Sequence, residues 1–234
     1  MGDRPYTLLS CSVSLDGYLD RAGGDRLVLS NAADLDRVDE VRAGCDAIMV
    51  GAATIRRDDP RLLVRSATRQ ASRTALGMTP SPTRVTVTER ADLDAAAAFF
   101  TCGAGTRLVY CASPKVDDAL TRLGRRATVV DAGHPVEMRW VLDDLAARGV
   151  RRLMVEGGGT VHTQLLTAGL ADELQLVVAP IFVGDSRAVR FVGDGAFPWQ
   201  DGQRARLVEA RPVGDVVLLR YALSDRYDAA GVTS

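Results

Sequence analysis

The sequence predicts a three-layer α/β fold whose central sheet is mostly parallel and ends in an antiparallel C-terminal hairpin. Short runs rich in Val, Ile and Leu alternate with helical segments, which is the order of β-α-β units. Some of these runs, such as AIMVG at 47–51, are apolar throughout, as in strands that are covered on both faces. The run from 206 to 223 alternates and turns at Pro212–Asp215, which is typical of a hairpin.

The other elements follow from apolar periodicity and from turn residues. A strand is expected over 6–13, because the turn residues of Ser14–Gly17 follow it. A helix is expected from Ala32 to Ala43, where apolar residues recur at helical spacing and Gly44 follows. Thr54 to Asp59 indicates a helical turn or a loop, and residues 66–83 indicate a long exposed loop. Further strands are expected at 47–51, 84–88, 107–112, 127–132, 151–156 and 173–184, and further helices at 116–123, 138–148 and 160–168.

Length and charge limit the class of protein. The chain has 234 residues, of which 47% are hydrophobic, and its net charge is −1. This predicts a single domain over 1–225 followed by a flexible tail over 226–234. The near-zero net charge argues against a nucleic-acid partner, and no apolar run approaches the length of a membrane span. A cytoplasmic location is therefore expected.

The cysteines and histidines do not predict a metal site. Four cysteines and two histidines are scattered along the chain, and no C-x-x-C pair occurs. Three of the cysteines lie in strand-like runs, where buried free thiols are expected. His162 has no second histidine nearby, so we expect it to occupy an incidental polar position.

The strongest local signal is a glycine loop at 157–159. A strand ends at Glu156, three glycines follow, and a helix comes next. Glycines let a backbone approach a ligand closely, and a helix N-terminus offers free N–H groups, so the loop predicts a pyrophosphate site. An ordinary strand-to-helix turn is the alternative interpretation, and for Glu156 the alternative is helix capping.

A second strand end, Val50–Arg65, leads into the densest basic stretch of the chain. Its glycine and small residues again suggest close approach to a phosphate. Arginines are spaced by four at 61, 65, 69 and 73, which is also typical of a solvated helix face. We prefer that interpretation for Arg69 and Arg73. Arg65 lies nearer the motif, where a guanidinium suits a phosphate.

Four motifs together resemble the reductase domain of bacterial riboflavin biosynthesis. They are Ser14–Gly17, Val50–Leu62, Glu156–Thr160 and Gly169–Leu174, and the resemblance runs from about Tyr6 to Leu223. It implies a dihydrofolate-reductase-like fold and a homodimer. It also implies reduction, by NADPH, of the ribosyl group of a ribosylaminopyrimidine 5′-phosphate to a ribityl group.

The same resemblance implies roles for individual residues. Cofactor contacts fall on Ser12, Val28, Gly51, Thr54, Asp58, Thr88, Gly157, Gly158, Gly159, Thr160 and Val161. Substrate contacts fall on Arg26, Arg42, Leu62, Arg65 and Glu156. Asp58 and Glu156 are the candidate catalytic proton donors. Thr88 and Arg90 suit the 2′-phosphate of NADPH, which Glu89 would repel.

The chain departs from the family pattern in three places. The zinc-deaminase motifs H-x-E and P-C-x-x-C do not occur in it. Tyr18 stands where many members have Lys or Arg, and Leu63 stands where many have Thr. Two alternatives therefore stay open. One is a paralogue that reduces dihydrofolate or another pterin or pyrimidine, and the other is a non-catalytic nucleotide-binding sensor.

Overall fold

The computed structural model describes residues 4–23 and 26–229. The chain forms two compact units. The central unit comprises Met1–Pro5 and Val38–Met154, and the terminal unit comprises Tyr6–Arg37 and Val155–Ser234. In chain order the elements are β1 (Tyr6–Ser14), α1 (Ala32–Ala43), β2 (Ala47–Gly51), α2 (Ala52–Asp58), α3 (Ala67–Ala75), β3 (Thr83–Thr88), α4 (Ala98–Thr101), β4 (Arg107–Cys111), α5 (Val116–Leu123), β5 (Thr128–Asp131), α6 (Met138–Ala147), β6 (Arg152–Gly157), α7 (Gly159–Thr167), β7 (Glu173–Ala179), β8 (Arg206–Val213), β9 (Val216–Ala222) and α8 (Arg226–Ala229).

The central unit contains the parallel strands β2, β3, β4 and β5, each paired with the next. All five residues of β2 are buried, as expected for a strand that is covered on both faces. Gly51 lies opposite Val87, and Thr88 lies opposite Cys111. Because parallel strands point the same way, Gly51 and Thr88 lie at one edge of this sheet, where α/β proteins bind ligands.

The terminal unit contains the parallel pair of β1 and β7, and then β9 and β8 in antiparallel order. The predicted C-terminal hairpin is confirmed, with its turn between Val213 and Val216. The hairpin has an irregularity in register between Leu207 and Glu209. β7 is shorter than predicted and ends at Ala179, because Pro180 has no N–H to continue the ladder.

Two acidic residues at the start of β7 hold the terminal unit together. Glu173 is fully buried and accepts hydrogen bonds from the Tyr6 hydroxyl at 2.9 Å and from Arg220 Nη2 at 2.9 Å. Asp172 is equally buried and accepts from the Thr7 amide at 2.9 Å and from Arg226 Nη1 at 3.0 Å. Because buried carboxylates need such partners, these two residues tie β1, β9 and α8 to β7.

Helix α3 corrects two predictions. Residues 66–83 were expected to form an exposed loop, but Ala67–Ala75 is helical, and Ser66 Oγ caps it by accepting from the Arg69 amide at 3.3 Å. Arg73 does not lie on a solvated face, since it is only 3% exposed and donates to the carbonyls of Ala43 and Cys45, each at 2.7 Å. Arg69 forms an ion pair with Asp39 at 3.1 Å.

Several other expectations concern termini, thiols and membranes. The first residues of the expected tail form α8, in which Tyr227 is 3% exposed, and residues 230–234 lie outside the described part of the chain. The cysteines are free thiols, and Cys11, Cys45 and Cys111 are buried, as predicted. Within residues 4–23 and 26–229, no helix could span a membrane. The same residues contain no cluster of metal-ligating side chains.

Candidate active site

The predicted site residues fall into two groups, one in each unit. Gly51 of the central unit ends β2, and α2 begins at the next residue. Thr54 and Asp58 of that helix are half-buried. Asp59 then ends α2 in a left-handed conformation, with φ of 43°. The first group therefore begins at a strand end, as the sequence predicted.

Leu62 has an unusual backbone for a bulky residue. Its φ is 51°, in the left-handed region, and its side chain is only 2% exposed. Because the side chain is packed inside the protein, a contact from Leu62 to a ligand would have to use the backbone. This conformation also bends the chain just before Arg65.

Arg65 is positioned by a buried carboxylate, Asp39. The Arg65 amide donates to Asp39 Oδ1 at 2.5 Å, and the Arg65 Nε lies 3.5 Å from the same oxygen. Burial raises the pKa of Asp39, but the amides of Arg65 and Ser66 and the Arg69 guanidinium outweigh it, so the pKa lies below its ordinary value. The Arg65 side chain is 52% exposed and accessible to a ligand.

Arg42, the second arginine of this unit predicted to contact the substrate, is half-buried on α1. Its Nη1 donates to the Leu63 carbonyl at 3.1 Å. This bond fixes the guanidinium beside the 62–65 segment. Arg42 and Arg65 are thus both attached to the same short stretch of backbone.

The end of β3 carries the residues expected to read the cofactor's 2′-position. Thr88 is 4% exposed, and its Oγ1 accepts from the Ala91 amide at 3.1 Å. Glu89 Oε1 accepts from the Val136 amide at 2.9 Å, and Glu89 Oε2 lies 3.5 Å from His134 Nδ1. The Glu89 carboxylate is therefore partly engaged by neighbours, whereas the side chain of Arg90 is exposed.

The second group surrounds the glycine loop of the terminal unit. Glu156 is half-buried near the end of β6, and Gly158 has φ of 96°, a conformation that side chains rarely adopt. A Cβ on Gly159 would lie 2.5 Å from the Arg190 carbonyl oxygen. The backbone conformation at Gly158 and the close packing at Gly159 thus each favour glycine. Thr160 is exposed and Val161 is buried at the start of α7.

The Ser14–Gly17 turn is fixed by Asp16. This carboxylate accepts from Ser14 Oγ at 2.6 Å and from the amides of Val183 and Gly184. The bond from Ser14, opposed by burial and supported by the two amides, lowers the pKa of Asp16 to about 2. The aspartate of this motif is thus used to hold the turn against the 183–184 backbone.

Three remaining predicted residues differ in exposure. Ser12 is half-buried on β1, opposite Val177, whereas Arg26 and Val28 are exposed, Val28 to 72%.

His162 is fully buried, with its ring centroid 5.3 Å from that of Phe191. Burial lowers the pKa of His162 to about 4, so the imidazole is neutral at physiological pH.

Comparison with known proteins identifies the chain. The relatives described below are reductases, and the chain is accordingly an α/β oxidoreductase. It belongs to the family of the RibD C-terminal domain, whose family model matches residues 5–219. The resemblance found in the sequence is thereby confirmed.

Two relatives match most of the chain. A protein of Archaeoglobus fulgidus named 2,5-diamino-6-ribosylamino-4(3H)-pyrimidinone 5′-phosphate reductase is 38% identical over 77% of this chain and 83% of its own length. A protein of the same name from Methanothermobacter thermautotrophicus is 34% identical over 94% of this chain and 99% of its own.

Solved structures share the fold. A deaminase/reductase of Thermotoga maritima has a TM-score of 0.75 at 20% identity and covers 94% of this chain. The chain spans 56% of that protein. A pyrimidine reductase-like protein of Corynebacterium diphtheriae has a TM-score of 0.74 at 22% identity, over 93% of this chain and 91% of its own. The α/β fold class predicted from the sequence is confirmed.

Proposed function

We propose that this protein reduces the ribosyl group of a 5′-phosphorylated ribosylaminopyrimidine to a ribityl group in riboflavin biosynthesis. The observation that carries the proposal is the 34% identity to a named reductase over 94% of the chain and 99% of the relative. The substrate we favour is 2,5-diamino-6-ribosylamino-4(3H)-pyrimidinone 5′-phosphate, the compound in that relative's name. The alternatives are the uracil analogue, in which the 2-amino group has been replaced by oxygen, and dihydrofolate.

NADPH is the proposed cofactor, and when bound it would supply the hydride. The left-handed Gly158 and the exposed Thr160 at the start of α7 fit a pyrophosphate, because glycine adds no side chain and a helix N-terminus offers free N–H groups. Further cofactor contacts are proposed for Ser12, Val28, Gly51, Thr54, Asp58, Thr88, Gly157, Gly159, Thr160 and Val161. Arg26, Arg42, Leu62, Arg65 and Glu156 are proposed to contact the substrate.

The half-buried carboxyl groups of Asp58 and Glu156 are the proposed proton donors. A carboxyl group that is shielded from water and lies near the reacting centre could deliver a proton to a substrate nitrogen or oxygen. Replacement of Glu156 by Gln preserves shape and removes the acid. A loss of turnover much larger than the loss of substrate affinity would support this role, and equal losses would assign Glu156 to substrate binding alone.

The reaction is tested by oxidation of NADPH at 340 nm with the three candidate substrates. We expect turnover with the diamino compound, slower turnover with the uracil analogue and none with dihydrofolate. A protein that binds NADPH but reduces none of the three would support the sensor alternative. Faster reduction of dihydrofolate would support the paralogue instead.

Replacement of Gly158 by Val should weaken NADPH binding at least tenfold, or about 1.4 kcal/mol. A branched side chain would stand where the backbone meets the pyrophosphate, and it would also strain a φ of 96°. Gly149→Val is the matched control, since Gly149 has φ of 89° in open space. The affinities and melting temperatures of both variants separate strain from lost binding. Equal NADPH affinity in both variants would place the pyrophosphate elsewhere.

Replacement of Arg90 by Met should reduce the preference for NADPH over NADH. Arg90 is exposed at the end of β3, and the neighbouring Glu89 carboxylate accepts a hydrogen bond from the Val136 amide. A guanidinium that contacts a phosphate contributes roughly 1.5–3 kcal/mol, so NADPH affinity should fall about tenfold or more while NADH affinity stays the same. Equal losses for both cofactors would contradict this assignment.

A homodimer in the cytoplasm is also proposed. Leu207 and Val217 of the C-terminal hairpin are 53% and 43% exposed, and large apolar side chains of this kind are common at interfaces. Light scattering should give twice the mass of one chain. Leu207→Asp should shift the mass towards the monomer, and an unchanged dimer would show that the interface lies elsewhere.

A further inference from the structure

A short segment, Val189–Gly193, forms hydrogen bonds with the turn after β1 and with helix α7 in the terminal unit. The Leu19 amide donates to the Val189 carbonyl at 2.8 Å, and the Phe191 amide donates to the Gly17 carbonyl at 3.1 Å. At its other end, the Gly193 amide donates to Thr163 Oγ1 of α7 at 2.8 Å. We call Val189–Gly193 the connecting segment, and it is held on both sides by hydrogen bonds.

Arg190 lies in the middle of the connecting segment and is held by Tyr18. Its guanidinium carbon lies 4.7 Å from the centroid of the Tyr18 ring, a cation–π arrangement. Arg190 Nη2 also donates to the Tyr18 hydroxyl at 3.0 Å. Tyr18 itself is only 5% exposed, and its amide donates to Ser14 Oγ at 3.0 Å. The guanidinium is therefore positioned before any ligand binds.

The backbone of Arg190 touches the glycine loop. Its carbonyl oxygen would lie 2.5 Å from a Cβ on Gly159, a distance that no side chain tolerates. Gly159 is therefore required for the connecting segment to pack against the loop. Arg190 is consequently fixed beside the residues proposed to hold a pyrophosphate.

The charge of Arg190 is not neutralised by the protein. Among the residues that the structure describes, no carboxylate lies within ion-pair distance of its guanidinium. Nearby Arg187, in contrast, is paired with Asp185 at 2.9 Å. Arginine has five N–H donors, and the bond to Tyr18 uses one of them, so the others are available to an anionic ligand.

We propose that Arg190, held in place by Tyr18, is a phosphate-binding residue beside the glycine loop. The ligand group is a phosphate ester, which could belong to the dinucleotide's pyrophosphate or to the sugar 5′-phosphate of the substrate. The proposal rests on the proposed function, because that reaction brings both phosphates to the protein. It adds a cation that the sequence motifs did not indicate.

The test is calorimetric binding of two probes, NADP⁺ and ribose 5-phosphate, to the wild type and to Arg190→Met. We expect at least a tenfold loss of affinity for one probe, and the affected probe identifies the source of the phosphate. Arg187→Met is the matched control, since its guanidinium is already paired and 82% exposed, and it should bind both probes like the wild type. Dependence of the affinity on salt should also decrease in Arg190→Met, because one phosphate contact is lost.

Changes at Tyr18 separate direct binding from packing. Tyr18→Phe keeps the ring under the guanidinium and should have a small effect, whereas Tyr18→Leu removes the ring and should reproduce part of the loss in Arg190→Met. Arg190→Lys should retain part of the affinity. A folded Arg190→Met that binds both probes as tightly as the wild type overturns the proposal, as does a wild type that binds neither. If the wild type binds but reduces no candidate substrate, the proposed function fails while the assignment of Arg190 stands.

Discussion

Replacement of Arg84 by Met is expected to lower the free energy of unfolding by about 3 kcal/mol. The Arg84 side chain on β3 is fully buried, and its Nη1 donates to the carbonyls of Phe99 and Cys102 at 2.8 and 2.7 Å. Burial, and then the positive charge of Arg107, lowers its pKa to about 10, so Arg84 remains charged at neutral pH. Met fills similar volume but removes the shorter of the two bonds that each carbonyl accepts, and leaves them only the bonds from Arg107, both at 3.2 Å.

Arg107→Met is the control for Arg84→Met. Arg107 donates to the same Phe99 carbonyl at 3.2 Å and to the Gly103 carbonyl at 2.6 Å, but its side chain is only half-buried. Water can replace its bonds, so we expect a loss below about 1 kcal/mol. Urea unfolding of both variants measures the difference. Equal losses would show that burial of Arg84 does not determine its contribution.

The contrast between strands and helix α3 shows which parts of the fold were predictable. β2 and the C-terminal hairpin follow from apolar patterns, which are local in sequence. Helix α3 lacks such a pattern, because its buried residue is the charged Arg73. The Arg73 guanidinium donates to carbonyls about thirty positions earlier in the chain. Because a sequence pattern does not show these distant carbonyl groups, an arginine-rich stretch resembled a solvated surface.

The candidate site shows the same division. The glycine loop and the end of β2 could be located from residue type and order alone. Asp39 and the contact between Arg190 and Gly159 could not, because each joins residues more than twenty positions apart. The sequence suggested that Glu89 would repel a 2′-phosphate, and it could not show that the carboxylate also accepts a hydrogen bond from the distant Val136 amide. Long-range partners therefore decide what a charged residue contributes to the site.

Replacement of Arg65 by Met is expected to reduce kcat/KM for the phosphorylated substrate about 10- to 150-fold, since a charge-assisted hydrogen bond contributes roughly 1.5–3 kcal/mol. The side chain is 52% exposed, and its Nε lies 3.5 Å from Asp39 Oδ1, so the guanidinium can also reach a ligand. Asp39 would keep its bonds to the Ser66 amide and to Arg69, both at 3.1 Å, so the variant should fold. Affinity for NADPH should hardly change.

Arg42→Met should also reduce kcat/KM for the phosphorylated substrate. Its effect is harder to assign to the phosphate, because Arg42 also donates to the Leu63 carbonyl. Arg139→Met is the control, since Arg139 is an exposed residue of α6 paired with Asp143 at 3.4 Å, and it should leave kcat/KM unchanged. Each protein is assayed with the phosphorylated substrate and with its dephosphorylated analogue. If Arg65 binds the 5′-phosphate, the wild type should reduce the analogue poorly, and Arg65→Met should not reduce it any more slowly. Equal losses of kcat/KM on both compounds would mean that Arg65 shapes the 62–65 segment without touching the phosphate. A wild type that prefers the analogue would remove the phosphorylated sugar from the proposed function.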